Sequence, residues 1–485
     1  MGSLPAEKSS SFTKMQSFRS LELLNVSLNQ EINQKPFGVD YGRLDNGLAY
    51  YVRRNPKPKN RAALALAVKV GSVLEEENER GVAHMIEHLA FSATKKYANH
   101  NIVKFLESIG AEFGPCNNAY TSFDETVYEM LVPIDKPELL SEAILVLAEF
   151  SSEIRLSKDD LEKERGAVME EYRGGRNANG RIDDAHWALM MEGSKYAERL
   201  PIGLEKVIQT VSSETLKQFY QKWYHMQNMA VIAVGDFPET ESVVELIKTH
   251  FGQKISTQDL LPIPHFPVPS HDEPRFSYFV EPEASGSSVI ISYKMQPSQL
   301  KTVKDYRDML VESMFGSALN QRFFKISKRN NPPYFSCSAA TSDLVARVRL
   351  HGFSEREISV VRALLLSSIE SAYLERDQME STDLRDEYVQ HFVDGKPVTG
   401  IEYRAQLHKT IVPHISASEV SKYAEKLLTS CSCVIKIVEP RASAKIKDLK
   451  EVVMKIDKLE NERSITPWVD EDIPEEIVTS KPSGG

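Results

Sequence analysis

Cysteine is scarce: only Cys116, Cys337, Cys431 and Cys433 occur in 485 residues. So few exclude a disulfide-built fold and fit a reducing compartment. No run of about 18 apolar residues exists, so no membrane-spanning helix is expected. Positive charge is not in surplus either. Lys plus Arg number 59 against 69 for Asp plus Glu, a net charge of −10, which argues against a general binder of nucleic acids or anionic membranes. No Walker loop, no dinucleotide G-x-G-x-x-G and no G-x-S-x-G elbow is present, which removes the usual signatures of nucleotide-dependent and serine-hydrolase chemistry. What is there is ordinary for a soluble globular protein: 41% hydrophobic residues and a length that suggests two to four domains.

Patterning divides the chain. Residues 1–35 are Ser-rich and lack an apolar signal-peptide segment, so they are expected to be a flexible leader. Asp45-Asn46-Gly47 marks a turn between strands at 41–44 and 48–52. A strand is predicted over Ala62–Val70, helices over Gly81–Phe91 and Ile102–Ile109, and strands over Glu112–Tyr120 and Thr126–Val132. Helices near 137–155 and 157–172 follow, and a buried strand over Ala230–Val234. These make an α+β domain over 36–256. A Pro-rich linker is expected at 257–275, a second α+β domain at 276–440, and a charged tail or linker at 441–485. The second domain reads as a repeat of the first: the helix-then-strand of 211–236 recurs at 415–440. It is shorter by roughly 20 residues, lost between Tyr334 and Phe353. Phe335–Ala340 and Val345–Leu350 read there as strands, and a strand and a helix are expected to be missing.

The segment Gly81-Val82-Ala83-His84-Met85-Ile86-Glu87-His88-Leu89 carries the chemistry. Residues four apart on a helix differ by about 40°, so His84 and His88 can address one cation. Glu87 sits beside them, within reach of a metal-bound water but not placed as a ligand. Imidazole pairs at this spacing suit Zn²⁺, which needs a third protein ligand in a catalytic site. The helix Leu161–Glu171 offers Glu164 and Glu171, seven apart and within about 20° of one face. One can bind metal while the other supports a histidine. Taken singly these signals are weak. Five-residue matches arise by chance, Glu-rich helices are usually solvated faces, and an Asn before a turn is usually just a turn residue. Flanking apolar residues (Val82, Met85, Ile86, Leu89, Phe91) favour the metal site, because partly buried histidines need partners. Cys431-x-Cys433 reads as core packing in a strand, and His186, His225 and His351 read as structural or surface residues.

H-x-x-E-H with these surroundings resembles the pitrilysin/insulinase family of zinc metallopeptidases, in particular its plant and bacterial probable zinc protease branch. The likeness covers nearly all of 36–440 and is strong around Gly81–Phe91, Asn118–Tyr128, Leu161–Tyr172 and Trp223–Gly235. It implies two homologous mixed α/β domains and one zinc ion. It implies His84, His88 and Glu171 as ligands, Glu164 as the supporting carboxylate and Glu87 as the catalytic base. Glu170 is the adjacent competitor for the ligand role. The resemblance also implies that Asn118 and Ala119 lie on an edge strand that binds substrate as an added strand.

The implied activity is zinc-dependent endopeptidase action on peptides or unfolded polypeptides. The family encloses substrate with four such domains, so the chain looks like the N-terminal half of a longer member. A second half or a homologous subunit is the expected partner. The rival expectation is a catalytically weak half acting as an assembly or binding subunit. No nucleic acid and no membrane insertion is expected. The expected location is intracellular: the cytoplasm, with plastid and mitochondrion as alternatives.

Overall fold

Asn46-Gly47 turns the chain as its sequence predicts, and the turn is tied down. Asn46 Nδ2 donates to the Phe251 carbonyl at 2.8 Å. The turn joins β1 (Asp40–Arg43) to β2 (Ala49–Arg54). The computed structural model describes residues 17–32, 38–112, 114–254, 262–329, 342–428, 432–443 and 445–469. Its first unit continues with β3 (Arg61–Val68), α1 (Val82–Ser92), α2 (Asn101–Ser108), β4 (Asn117–Thr121) and β5 (Thr126–Pro133). Then come α3 (Pro137–Ser152), α4 (Lys158–Gly174), α5 (Ala178–Met190), α6 (Glu205–Thr210), α7 (Ser213–Trp223), β6 (Met229–Gly235) and α8 (Thr240–Phe251). The strands form one six-stranded sheet in the order β1-β2-β6-β3-β5-β4. β2 and β6 are parallel and every other pair is antiparallel. β3 is central, and Ala62–Val68 are all fully buried, which explains its unbroken apolar run. Among the described residues β4 is an edge and pairs only with β5.

The second unit holds β7 (Arg275–Val280), β8 (Ser288–Tyr293), α9 (Val303–Ser327), α10 (Ser342–His351), α11 (Glu355–Leu374), α12 (Ser381–Asp394), α13 (Gly400–Ile411), α14 (Ala417–Lys422), β9 (Cys433–Glu439) and α15 (Ile446–Asn461). Its sheet runs β7-β9-β8, with β7 parallel and β8 antiparallel to β9. That repeats β2-β6-β3 in order and direction, so the two units are copies of one plan. The helix caps repeat as well: Ser157 and Ser354 cap α4 and α11, and Ser212 and Ser416 cap α7 and α14. Among the described residues the second sheet stops at β8, where the first continues through β5 and β4. The second unit is the shortened one.

Several expectations need correcting. Val345–Leu350 is not a strand but lies in α10. Its alternation is real, yet Leu344, Val345 and Val348 also fall on one helical face, and all three are buried. Packing against α15 selects the helix. The helix expected to be missing is therefore present in short form, since α10 packs on α15 as α3 packs on α8. Phe335–Ala340 lies outside the described residues, as does Cys431. The strand expected from Glu112 begins only at Asn117.

The flexible leader expected over 1–35 is packed where it is described. Phe18 and Leu21 are buried with Ile369, Tyr373, Ile401 and Ala405, and Ile32 joins the second unit's core. The charged tail expected from 441 contains α15, whose Val453 packs beside Ile435 and Ile437 of β9. Arg349 Nε and Glu460 fasten it at 2.6 Å. Its charges lie on the outer face of an amphipathic helix, which a composition argument reads as linker.

The two units exchange helices across their sheets. α12 of the second unit lies on β3 and β6 of the first, and α5 of the first lies on β7 and β9 of the second. The α12 contact is apolar: Leu384, Tyr388, Val389 and Phe392 cover Ala49, Tyr51, Ala65, Ala67, Ala230, Ile232 and Val234. The alanines leave room for the two aromatic rings. The opposite face of that sheet carries α1, α3, α7 and α8, and so fixes where α1 lies.

Candidate metal centre

α1 is buried almost all round, with Val82, Ala83, Met85, Ile86, Leu89 and Ala90 in the core. Its entry is constrained. Gly81 has φ 107°, and a Cβ there would lie 3.1 Å from the Gly203 Cα. The first turn is capped by Glu75, whose carboxylate accepts from the Gly81 and Ala83 N–H groups at 2.9 Å each. Burial pushes the Glu75 carboxyl pKa up to about 8, against the pull of those two hydrogen bonds and of Arg199. The helix carrying the histidines is thus anchored at its N-terminus before it reaches the cleft.

His84 and His88 project from α1 towards Glu171 of α4. Glu171 Oε2 lies 3.4 Å from His84 Nε2 and 3.2 Å from His88 Nε2. One nitrogen from each ring and one carboxylate oxygen all lie within 4.8 Å of one another. The two imidazoles hold the Glu171 carboxyl well below the usual carboxylate range. Burial lowers the His88 pKa, and the Glu171, Glu87 and Glu164 carboxylates more than reverse this, so it ends above its ordinary value. Two imidazoles and a carboxylate at this separation fit a divalent cation with a preference for N and O ligands, zinc foremost. Glu170 does not compete. It points outward, is 79% exposed and pairs with Arg173 at 3.6 Å.

Glu164 sits behind the cluster. Its Oε2 is 4.0 Å from His88 Nδ1 and its Oε1 is 3.4 Å from His100 Nε2. Such a carboxylate beside the non-coordinating nitrogen is what orients a ligating imidazole. Glu87 is buried at 8% exposure and accepts from Thr121 Oγ1 at 2.6 Å. Asn118 is no turn residue: it lies within β4, whose hairpin turn comes later, at Ser122–Glu125. Asn118, Ala119 and Tyr120 line a cleft of about 620 Å³ together with the His84–Glu87–His88 cluster and Pro201 and Ile202. The sequence-predicted site residues are therefore all gathered at one cleft. Sequence reasoning assigned no role to His100, Thr121, Glu75, Pro201 or Ile202. Thr121 alone had a signal, because it shares a strand face with Ala119. His186 and Cys433 are buried and His351 is exposed, and none of the three lines the cleft.

Residues 50–182 match the insulinase domain of peptidase family M16, and residues 210–354 match the M16 inactive domain. The chain belongs to the insulinase (pitrilysin) family. A "Zinc protease PQQL-like" protein of Arabidopsis thaliana is 70% identical over 484 residues, 99% of this chain and 51% of that protein. The "Probable zinc protease PqqL" of Escherichia coli K12 is 28% identical over 419 residues, 80% of this chain and 44% of that protein. The chain thus spans about half the length of these insulinase-family relatives. Among solved structures, the first half of the periplasmic protease PqqL from E. coli superposes with a TM-score of 0.83 at 23% identity, covering 90% of this chain and 100% of that one. Pitrilysin superposes at 0.65 with 18% identity, covering 94% of this chain and 51% of that one. Both share the fold.

Proposed function

We propose that the chain is the metal-bearing half of a zinc-dependent endopeptidase that hydrolyses peptides or unfolded polypeptides. The observation that carries this reading is the convergence of His84, His88 and Glu171 beside the free edge of β4. We assign those three as ligands of one zinc ion, Glu164 as the carboxylate that orients His88, and Glu87 as general base. When bound, zinc supplies Lewis-acid chemistry, making water a better nucleophile near neutral pH and polarising a carbonyl. The other steps belong to the chain. β4 turns the main-chain N–H and C=O of Ala119 away from β5, while those of its neighbour Asn118 face β5, so an extended peptide can add as a further strand along Ala119 with Asn118 beside it. Glu87 takes a proton from the attacking water and returns it to the departing amine.

A second reading is favoured by the chain's span. Because it matches about half of each relative, it would act as a subunit needing a second half or a homologous partner, and by itself would be weakly active or serve assembly. One experiment separates the two. The purified chain is assayed for zinc content and for cleavage of a mixed peptide library, beside Glu87→Gln, with and without a candidate partner half. Zinc-dependent cleavage lost in Glu87→Gln supports the peptidase. Absence of bound zinc sinks the ligand assignment. Cleavage only with the partner present supports the half-enzyme reading. The few cysteines support an intracellular address, and a fluorescent fusion distinguishes cytosol, plastid and mitochondrion.

A further inference from the structure

Thr121 ends β4, two residues beyond Ala119, and its hydroxyl meets the Glu87 carboxylate at 2.6 Å. An ionised carboxylate only accepts, so Thr121 is the donor. The competing acceptor is Thr126 Oγ1, at 3.4 Å. Thr126 already gives its own proton to the Val70 carbonyl at 2.9 Å and cannot bond Glu87 itself. Thr121 therefore donates to Glu87 Oε2, and Glu87 itself lines the cleft. The threonine is held rigidly. Its backbone pairs with Thr126, and the turn that follows closes through Ser122 N–H to the Glu125 carbonyl at 2.7 Å. That turn is docked on the segment before α1 by Ser72 N–H to Ser122 O (3.1 Å) and Val73 N–H to Phe123 O (2.9 Å).

We propose that Thr121 is a positioning residue that fixes the orientation of Glu87 and ties the base to the strand on which substrate is bound. The inference rests on the reading of Glu87 as general base. A short bond to a charged acceptor inside a partly buried site removes rotamer freedom from the carboxylate, and small losses of alignment at a reacting group are costly in rate. The same strand then presents the substrate and aims the base, so their relative placement is built into one element.

The test uses the zinc-loaded full chain and an internally quenched peptide mixture. Thr121→Val keeps the shape but removes the donor, and Thr121→Ser restores it. For Thr121→Val the expected result is a fall in kcat of about tenfold to a hundredfold, with KM and zinc affinity (by chelator competition) within about twofold, and Thr121→Ser close to wild type. Added to Glu87→Gln, Thr121→Val should cost nothing more. With cobalt in place of zinc, the visible spectrum of Thr121→Val should move towards that of Glu87→Gln while Thr121→Ser keeps the wild-type spectrum. This readout decides the matter if the chain alone turns over no peptide. An unchanged kcat or spectrum in a folded Thr121→Val, or a Thr121→Ser as impaired as the valine, overturns the proposal while Glu87 stands. A fully active Glu87→Gln overturns the base assignment and the proposal together.

Discussion

Glu171 Oε2 lies 3.2 Å from His88 Nε2, although 83 residues separate the two in sequence. The contact joins α1 to α4 and selects one carboxylate from a run of two adjacent glutamates.

A consequence is measurable as metal affinity. Glu171→Ala should weaken zinc binding by about a hundredfold or more, and Glu164→Gln by about tenfold to a hundredfold, the range for a group that orients a ligand. Glu170→Ala should leave it unchanged, because that side chain faces solvent. Competition with a chromogenic chelator gives all three values. Equal losses at Glu170 and Glu171 would contradict the assignment.

Glu75 should make stability fall as pH rises. Its unfolded carboxyl ionises near 4.3, while in the folded protein the pKa is pushed up to about 8 by burial. Between those values the folded state holds a proton that the unfolded state has lost, so ionisation favours unfolding. The contribution is fullest below about pH 4, declines through pH 5–8 and is flat above. Denaturant midpoints of the metal-free chain at pH 5, 6.5 and 8 should show this slope, and Glu75→Gln should flatten it. Parallel curves for the two proteins would refute it.

Tyr388 anchors the exchanged helix α12. It is fully buried, stacks on Tyr51 with ring centroids 5.8 Å apart and accepts from Arg53 Nη1 at 2.8 Å. Tyr388→Ala should destabilise the chain by about 3–5 kcal/mol, the usual cost of removing a large buried aromatic ring. Thermal unfolding followed by circular dichroism measures it. A change under about 1 kcal/mol would mean that α12 is not a structural element of the first unit.

The site was legible where its logic is local. His84, Glu87 and His88 lie within one helical turn, and spacing alone put the histidines on one face. Helix geometry put Glu164 and Glu171 on one face, but the choice of Glu171 over Glu170 as ligand came from the family resemblance, which places the third ligand seven residues after a supporting Glu. His100, Glu75 and Thr121 act across loops and strands, and no periodicity reports which residue they will meet. The repeat was visible in the 211–236 and 415–440 segments because helix-then-strand patterning survives divergence. α10 was misread because Val345-Ala346-Arg347-Val348-Arg349-Leu350 satisfies both a strand's alternation and a helix's apolar face. The exchange of α5 and α12 could not be read at all, since an amphipathic helix declares that it has a buried face but not which sheet will cover it.

That exchange sets the smallest piece that can be studied. Cutting the chain at the linker would strip α12 from the first sheet and bare Tyr51, Ile232, Val234 and their neighbouring alanines. It would also leave α5 without the sheet it rests on. His84, His88 and Glu171 all lie before the linker, yet the fragment that contains them would be sticky and prone to self-association. The proposed metal site is encoded in one unit, but the cover of that unit's sheet comes from the other.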